Sequence, residues 1–140
     1  VETACFLTHT PTGVRAQASE RRSLAENRSV ALHRLRIALA VHVRSASSQQ
    51  PHAVSRGASA LWLSRCAGGR IRCATEHADF PSMLAEALDA WNIALGDGKR
   101  AAAILQVTAT QLARFTAREP GAWAAVQALR KQHDRAPLRI

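Results

Sequence analysis

Arginine supplies almost all of the positive charge of this 140-residue chain, whose formal net charge is +9 and whose only lysines are Lys99 and Lys131. A guanidinium is planar, presents paired N–H donors to a phosphate and stacks its face on bases, so the balance favours an RNA or DNA partner. The competing reading is a GC-rich codon preference that leaves a basic, merely soluble chain. Other chemistries have less to work with. Cys5, Cys66 and Cys73 form no C-x-x-C pair, and their odd number predicts no disulfide framework; all three are expected as reduced, part-buried thiols. Tetrahedral zinc needs four ligands at short paired spacings, and neither the cysteines nor His9, His33, His42, His52, His77 and His133 form such an array. No metal, no cofactor and no catalytic residue is therefore assigned within this sequence.

The elements that would position the arginines are clearest in the first third. Thr3 to Thr10 is rich in β-branched and apolar types, Pro11-Thr12-Gly13 has turn chemistry, and Val14 to Ala18 alternates apolar residues with Arg15 and Gln17, which together predict a β-hairpin. Ser23-Leu24-Ala25-Glu26 has the spacing of a capping box, so a helix is expected from Ser23 to Arg44. Leu32, Leu35, Leu39 and Val43 recur at threes and fours as one apolar face, while Val30, Ile37 and Val41 fall opposite. A helix with two such faces packs on two surfaces, with Arg28, Arg34 and Arg36 on the arcs between.

Leu7-Thr8-His9, Pro11-Thr12-Gly13, Glu20-Arg21, Ser23, Asn27-Arg28, Ala31-Leu32 and Leu35-Arg36 follow one another in the order and spacing of a known family. This block resembles the catalytic domain of class I peptide-chain release factors, and most closely the release-factor-like proteins of ribosome rescue. The resemblance implies the ribosome (rRNA) and peptidyl-tRNA as partners, and Arg15, Arg21, Arg22, Asn27, Arg28, Arg34 and Arg36 as the contact residues. It also implies hydrolysis of the ester between nascent peptide and tRNA by a Gly-Gly-Gln loop. In the family that loop lies just before this hairpin, and its glutamine main-chain amide helps stabilise the oxyanion. No Gly-Gly-Gln occurs in these residues; Gly68-Gly69 follows the helix and precedes Arg70. Leu24 stands where the family usually has glutamine. Val1 opens the numbering and Met83 is the only methionine, which favours a truncated or mis-started reading frame as the expectation.

Further along, the polar stretch 45–56 contains Pro51 and no periodicity, and is expected to be a linker or mobile loop. Leu61-Trp62-Leu63 could open a strand or form one helical turn. A two-residue hairpin at Gly68-Gly69 would set Cys66 opposite Ile71. Helices are expected over about Pro81 to Leu95 with Leu84, Leu88, Trp91 and Leu95 inward, and over Gly98 to Leu105 behind the cap Asp97 with Ala101, Ala102 and Leu105 inward. Two more are expected, over Ala109 to Arg118 behind Thr108 and over Pro120 to Gln132 with Trp123, Val126 and Leu129 inward. The stretch 101–115 resembles the helix-turn-helix of bacterial DNA-binding proteins, a likeness that small packing helices share. On that reading Lys99, Arg100, Thr108, Thr110, Gln111 and Arg114 would reach nucleic acid.

The expectation is thus an α+β chain. An antiparallel hairpin packs on a long helix at 1–44 as a partial release-factor catalytic domain, a linker follows at 45–56, and a small, mainly helical, helix-turn-helix-like domain occupies 57–140. No apolar run reaches the length of a membrane span, so no membrane partner is expected and the cytoplasm is the default location. The function expected is ribosome rescue or translation termination. A DNA-binding module through the C-terminal helices, or a non-catalytic RNA-binding remnant, is the alternative.

Overall fold

Cys5–His9 (β1) and Val14–Ala18 (β2) pair antiparallel, with Cys5 opposite Ala18 and His9 opposite Val14, in a computed structural model that describes residues 2–44 and 57–140. The expected linker at 45–56 lies outside the described residues. The turn closes because the amides of Thr12 and Gly13 both donate to the His9 carbonyl, at 3.2 and 2.7 Å, and Gly13 adopts φ +74°. A left-handed φ at this position suits glycine, which has no Cβ to clash. Alternation sorts the side chains. Leu7, Val14, Ala16 and Ala18 turn inward, whereas Phe6, Thr8, Arg15 and Gln17 face solvent.

Leu24–His42 (α1) starts at the expected cap, with Ser23 Oγ accepting from the Glu26 amide at 3.1 Å. Val43 ends it, so the helix stops short of Arg44. The buried face of the helix under the hairpin holds Asn27, Ala31 and Leu35, so of the expected stripe Leu35 is buried and Leu39 half-buried, whereas Leu32 is 51% and Val43 41% exposed. The reason is geometric. Each residue turns about 100°, so a face centred on Ala31 leaves Leu32 and Val43 about a quarter to a third of a turn away from it. On the opposite face Ile37 and Val41 pack beside Ala40 against the main core as expected, while Val30 is half-buried and lines an open groove.

That core belongs to the second part. Ala60–Ser64 (α2) is one helical turn, capped by Ser59, which settles the ambiguity at Leu61-Trp62-Leu63 in favour of helix. Cys66–Ala67 (β3) and Arg70–Ile71 (β4) form the small hairpin, with Cys66 opposite Ile71 as expected. Phe80–Ile93 (α3) is central and touches α1, α2 and each of the helices that follow it. Asp79 holds its cap position but makes no side-chain cap bond; its carboxylate instead accepts from Arg65 Nε and Nη2 at 3.2 and 2.6 Å. Leu95 is not on the buried stripe. It lies beyond the helix end at φ +54° and is 45% exposed.

Gly98–Leu105 (α4), Ala109–Ala117 (α5) and Pro120–Gln132 (α6) start where their caps Asp97, Thr108 and Glu119 place them. Ala101, Ala102 and Leu105 are buried as expected; in α6 the fully buried residues are Ala122 and Val126, while Trp123 stays half-buried. At the centre Trp62 meets Phe115 edge to face and Phe80 meets it at a tilt, with ring centroids 5.7 and 5.4 Å from Phe115. Full burial of each such side chain contributes about 1.5–3 kcal/mol. Their polar neighbours are satisfied. Trp62 Nε1 donates to the Leu105 carbonyl at 2.9 Å, Trp91 Nε1 to Thr116 Oγ1 at 3.0 Å, and Thr116 Oγ1 to the Leu112 carbonyl at 2.8 Å. The fold is mixed α+β, with two antiparallel hairpins and several helices among the described residues.

Candidate nucleic-acid interface

Asn27 decides how the first unit is held. It is fully buried; its Nδ2 donates to the carbonyls of Thr3 and Arg21 at 2.7 and 3.1 Å, and its Oδ1 accepts from the Arg21 amide at 2.9 Å. One side chain thus ties the strand entrance, the β2–α1 connection and the helix together. This corrects its assignment as a contact residue, because a buried amide with both ends bonded has no surface to offer RNA.

Arg34 is also engaged. Its Nη1 donates to the Gln17 carbonyl at 2.9 Å, and its Nη2 pairs with Glu20 Oε1. The Arg34 hydrogen bond, helped by the amides of Glu20 and Ser19, pulls the Glu20 carboxyl down to about 2. The Arg34 charge is therefore met by Glu20 within the chain, and its role shifts to fastening β2 on α1. Arg36 donates Nη1 to the Ala78 carbonyl at 3.0 Å and is otherwise exposed. His33 Nε2 lies 2.7 Å from the Thr75 carbonyl, and since a carbonyl only accepts, the ring proton sits on Nε2.

Arg15, Arg21, Arg22 and Arg28 are exposed, and among the described residues none of the four takes part in an ion pair. Arg21, Arg34 and Arg36 line one open groove of about 610 Å³ along α1, closed on its far side by Thr75, Glu76 and Ala78. All seven expected residues thus lie on the hairpin–helix unit, and six of them, all but Asn27, are exposed. Electrostatic attachment to phosphates is within reach of such a surface. Bond-breaking chemistry is not assigned to any residue here. Among the described residues no group of three or more His, Cys, Asp or Glu could hold a metal ion.

In the tail, Thr108 is occupied: its hydroxyl accepts from the Gln111 amide at 3.1 Å, and its methyl would sit 3.5 Å from a Cβ at Gly69, so the β3–β4 tip lies beside the start of α5. Gln111 is half-buried. Thr110 and Arg114, one turn apart on α5, and Lys99 and Arg100 at the start of α4 remain exposed. Two polar links went unforeseen. Arg44 Nη1 donates to the Ala85 carbonyl at 3.1 Å and to Asp89 Oδ1 at 2.9 Å, and Arg118 Nη1 donates to the Cys73 carbonyl at 2.7 Å. Both span more than forty residues, and no local pattern announces a partner that far away.

Burial raises the thiols of Cys66 and Cys73 above their usual range, so neither is poised as a thiolate nucleophile. Cys5, Cys66 and Cys73 are free. No family model, no curated protein and no solved structure matches the chain.

Proposed function

We propose that this chain is a release-factor-like protein of ribosome rescue or translation termination, whose hairpin–helix unit binds rRNA and approaches peptidyl-tRNA on the ribosome, in the cytoplasm. The observation that carries the reading is the rigid hairpin–helix unit, pinned by Asn27, that leaves Arg15, Arg21, Arg22 and Arg28 exposed without an acidic partner. The residue order that resembles the release-factor block falls on this same unit. Peptidyl-tRNA ester hydrolysis is the activity the resemblance implies. These 140 residues contain no Gly-Gly-Gln, and their part is to bind and to orient.

Among the described residues, no helix is long and apolar enough to cross a membrane. Co-sedimentation with ribosomes across a salt series tests the proposal, with mixed-sequence duplex DNA as competitor. Ribosome binding that weakens steeply with salt supports it. Displacement by one duplex sequence, and not by others, favours instead the DNA-binding alternative through Thr110 and Arg114.

A further inference from the structure

The segment 69–73, which contains β4, runs along the flank of α5 from one end of the helix to the other. A Cβ at Gly69 would sit 3.5 Å from the methyl of Thr108 at the start of α5, and Arg118 at its end donates Nη1 to the Cys73 carbonyl at 2.7 Å. Between these anchors the segment alternates, with Ile71 and Cys73 buried and Arg70 and Arg72 exposed. On the helix, Leu112, Ala113, Phe115 and Thr116 are buried, while Thr110, Arg114 and Arg118, spaced by four, share the exposed side. At about 100° per residue, Thr108 and Arg118 lie about 120° and 40° from Arg114 in the same sense, so the strand sits about a quarter turn round the helix from Arg114. Arg70 and Arg72 therefore widen the exposed side of α5, and the four arginines belong to one facet.

The facet is unopposed by acid. Residues 60–75 and 98–118 contain no Asp or Glu, and among the described residues none of Arg70, Arg72, Arg114 and Arg118 takes part in an ion pair. The acids nearest in sequence are engaged elsewhere: Asp79 pairs with Arg65, Glu76 lines the groove beside α1, and Glu119 accepts from the Gly121 amide at the start of α6. Arg118 lies 5.6 Å from the Phe115 ring centroid, which holds the guanidinium without neutralising it. Arg70 and Arg72 are about 6.5 Å apart along the strand, and Arg114 and Arg118 about 6 Å apart along the helix axis. Two short rows of unpaired cations are the complement of a phosphodiester backbone. Phe115 is buried, so the facet offers no ring to an unpaired base, and a duplex is the form that fits. The major groove of B-DNA, about 12 Å wide, admits a bare helix of about 10–12 Å, and α5 with a strand along its flank is wider than that. Duplex RNA is instead bound from outside, across a shallow minor groove and its phosphates. We propose that the β4–α5 facet is a second RNA contact, lying on the backbone of a double-stranded RNA segment through Arg70, Arg72, Arg114 and Arg118. This rests on the reading of the chain as an rRNA-binding protein, and it differs from a helix-turn-helix contact in that no base edge is read.

The probe is a labelled RNA duplex of mixed sequence, read by fluorescence anisotropy with the full chain over a salt series, beside a DNA duplex of the same sequence. The RNA duplex is expected to bind at least about threefold more tightly than the DNA. Arg70→Ala/Arg72→Ala should make the slope of log Kobs against log salt shallower by about 1.5–2 with unchanged circular dichroism, and Arg70→Lys/Arg72→Lys should keep the native slope. An unchanged slope in the alanine pair, beside a slope flattened by Arg21→Ala/Arg22→Ala/Arg28→Ala, overturns the second contact and leaves the first standing. A slope flattened by the alanine pair in a chain that does not co-sediment with ribosomes upholds the facet as a duplex-RNA site and removes the ribosome as its source. A lysine pair as flat as the alanine pair, DNA bound as tightly as RNA, or no measurable binding of either duplex at low salt overturns the proposal.

Discussion

Asn27 Nδ2 lies 2.7 Å from the carbonyl oxygen of Thr3, a residue twenty-four positions earlier in the chain. That bond, with the two to Arg21, turns a hairpin and a helix into one unit on which arginines have fixed places. A two-stranded hairpin alone is marginal in water, so the helix and this amide decide whether the unit exists.

Asn27→Ala removes three part-buried hydrogen bonds of a fully buried side chain, to the Thr3 carbonyl and to the carbonyl and amide of Arg21. A loss of about 2–4 kcal/mol in urea unfolding is expected. Asn27→Asp keeps the acceptor for the Arg21 amide but cannot donate to the two carbonyls while ionised, and should be no better than Ala near neutral pH. A change under about 0.5 kcal/mol in either variant would show that the bracket does not hold the unit.

Glu20 provides a pH test. Its ordinary value of 4.5 falls to about 2 in the folded chain, chiefly through Arg34. A depressed carboxyl stabilises the fold fully above 4.5, and this contribution is lost as pH falls from 4.5 toward about 2. The carboxyl carbon of Glu20, followed by NMR titration, should show its midpoint near 2 in the native chain and closer to 4.5 in Arg34→Gln. The same midpoint in both would remove Arg34 as the cause.

Trp62→Phe keeps an aromatic ring in the core but withdraws the donor that meets the Leu105 carbonyl at 2.9 Å. The orphaned carbonyl should cost about 1–3 kcal/mol in thermal or urea unfolding. Trp91→Phe, which leaves Thr116 bonded to Leu112, is expected to cost less than Trp62→Phe.

Gly96 has φ +82°, and a Cβ there would lie 2.9 Å from Arg130 Cγ and 3.2 Å from Arg130 Cα. Gly96→Ala combines left-handed backbone strain with this overlap, and about 1–3 kcal/mol of destabilisation is expected from unfolding curves. An unchanged midpoint would mean that α6 shifts freely at Arg130.

These positions show how far the sequence leads. Caps and turns act over three or four residues, and so Ser23, Asp97, Thr108, Gly13 and Gly68-Gly69 placed their elements well. The Leu84, Leu88 and Trp91 stripe held because α3 is surrounded by other helices, and any apolar face finds a partner there. The Leu32 and Val43 reading failed because the buried face is centred on Ala31, with Asn27 and Leu35 one turn to either side, and periodicity alone does not say which of two adjacent faces the hairpin covers. Asn27 entered as a surface contact through the resemblance; its burial depends on backbone groups of Thr3 and Arg21, which periodicity does not record. Of the arginines, sequence supplied the charge and the structure supplied the division between those that fasten, Arg34 and Arg44, and those left open, Arg15, Arg21, Arg22 and Arg28.

The most direct test of the ribosome-binding account compares the chain with its Arg21→Ala/Arg22→Ala/Arg28→Ala variant in ribosome co-sedimentation over a range of salt concentrations. The native chain should bind at low salt with log Kobs falling linearly in log salt, and the triple variant should bind more weakly with a slope shallower by about 2–3, one unit or slightly less per lost phosphate contact. Equal slopes, no binding of the native chain at low salt, or a slope flattened by Arg114→Ala instead would contradict it.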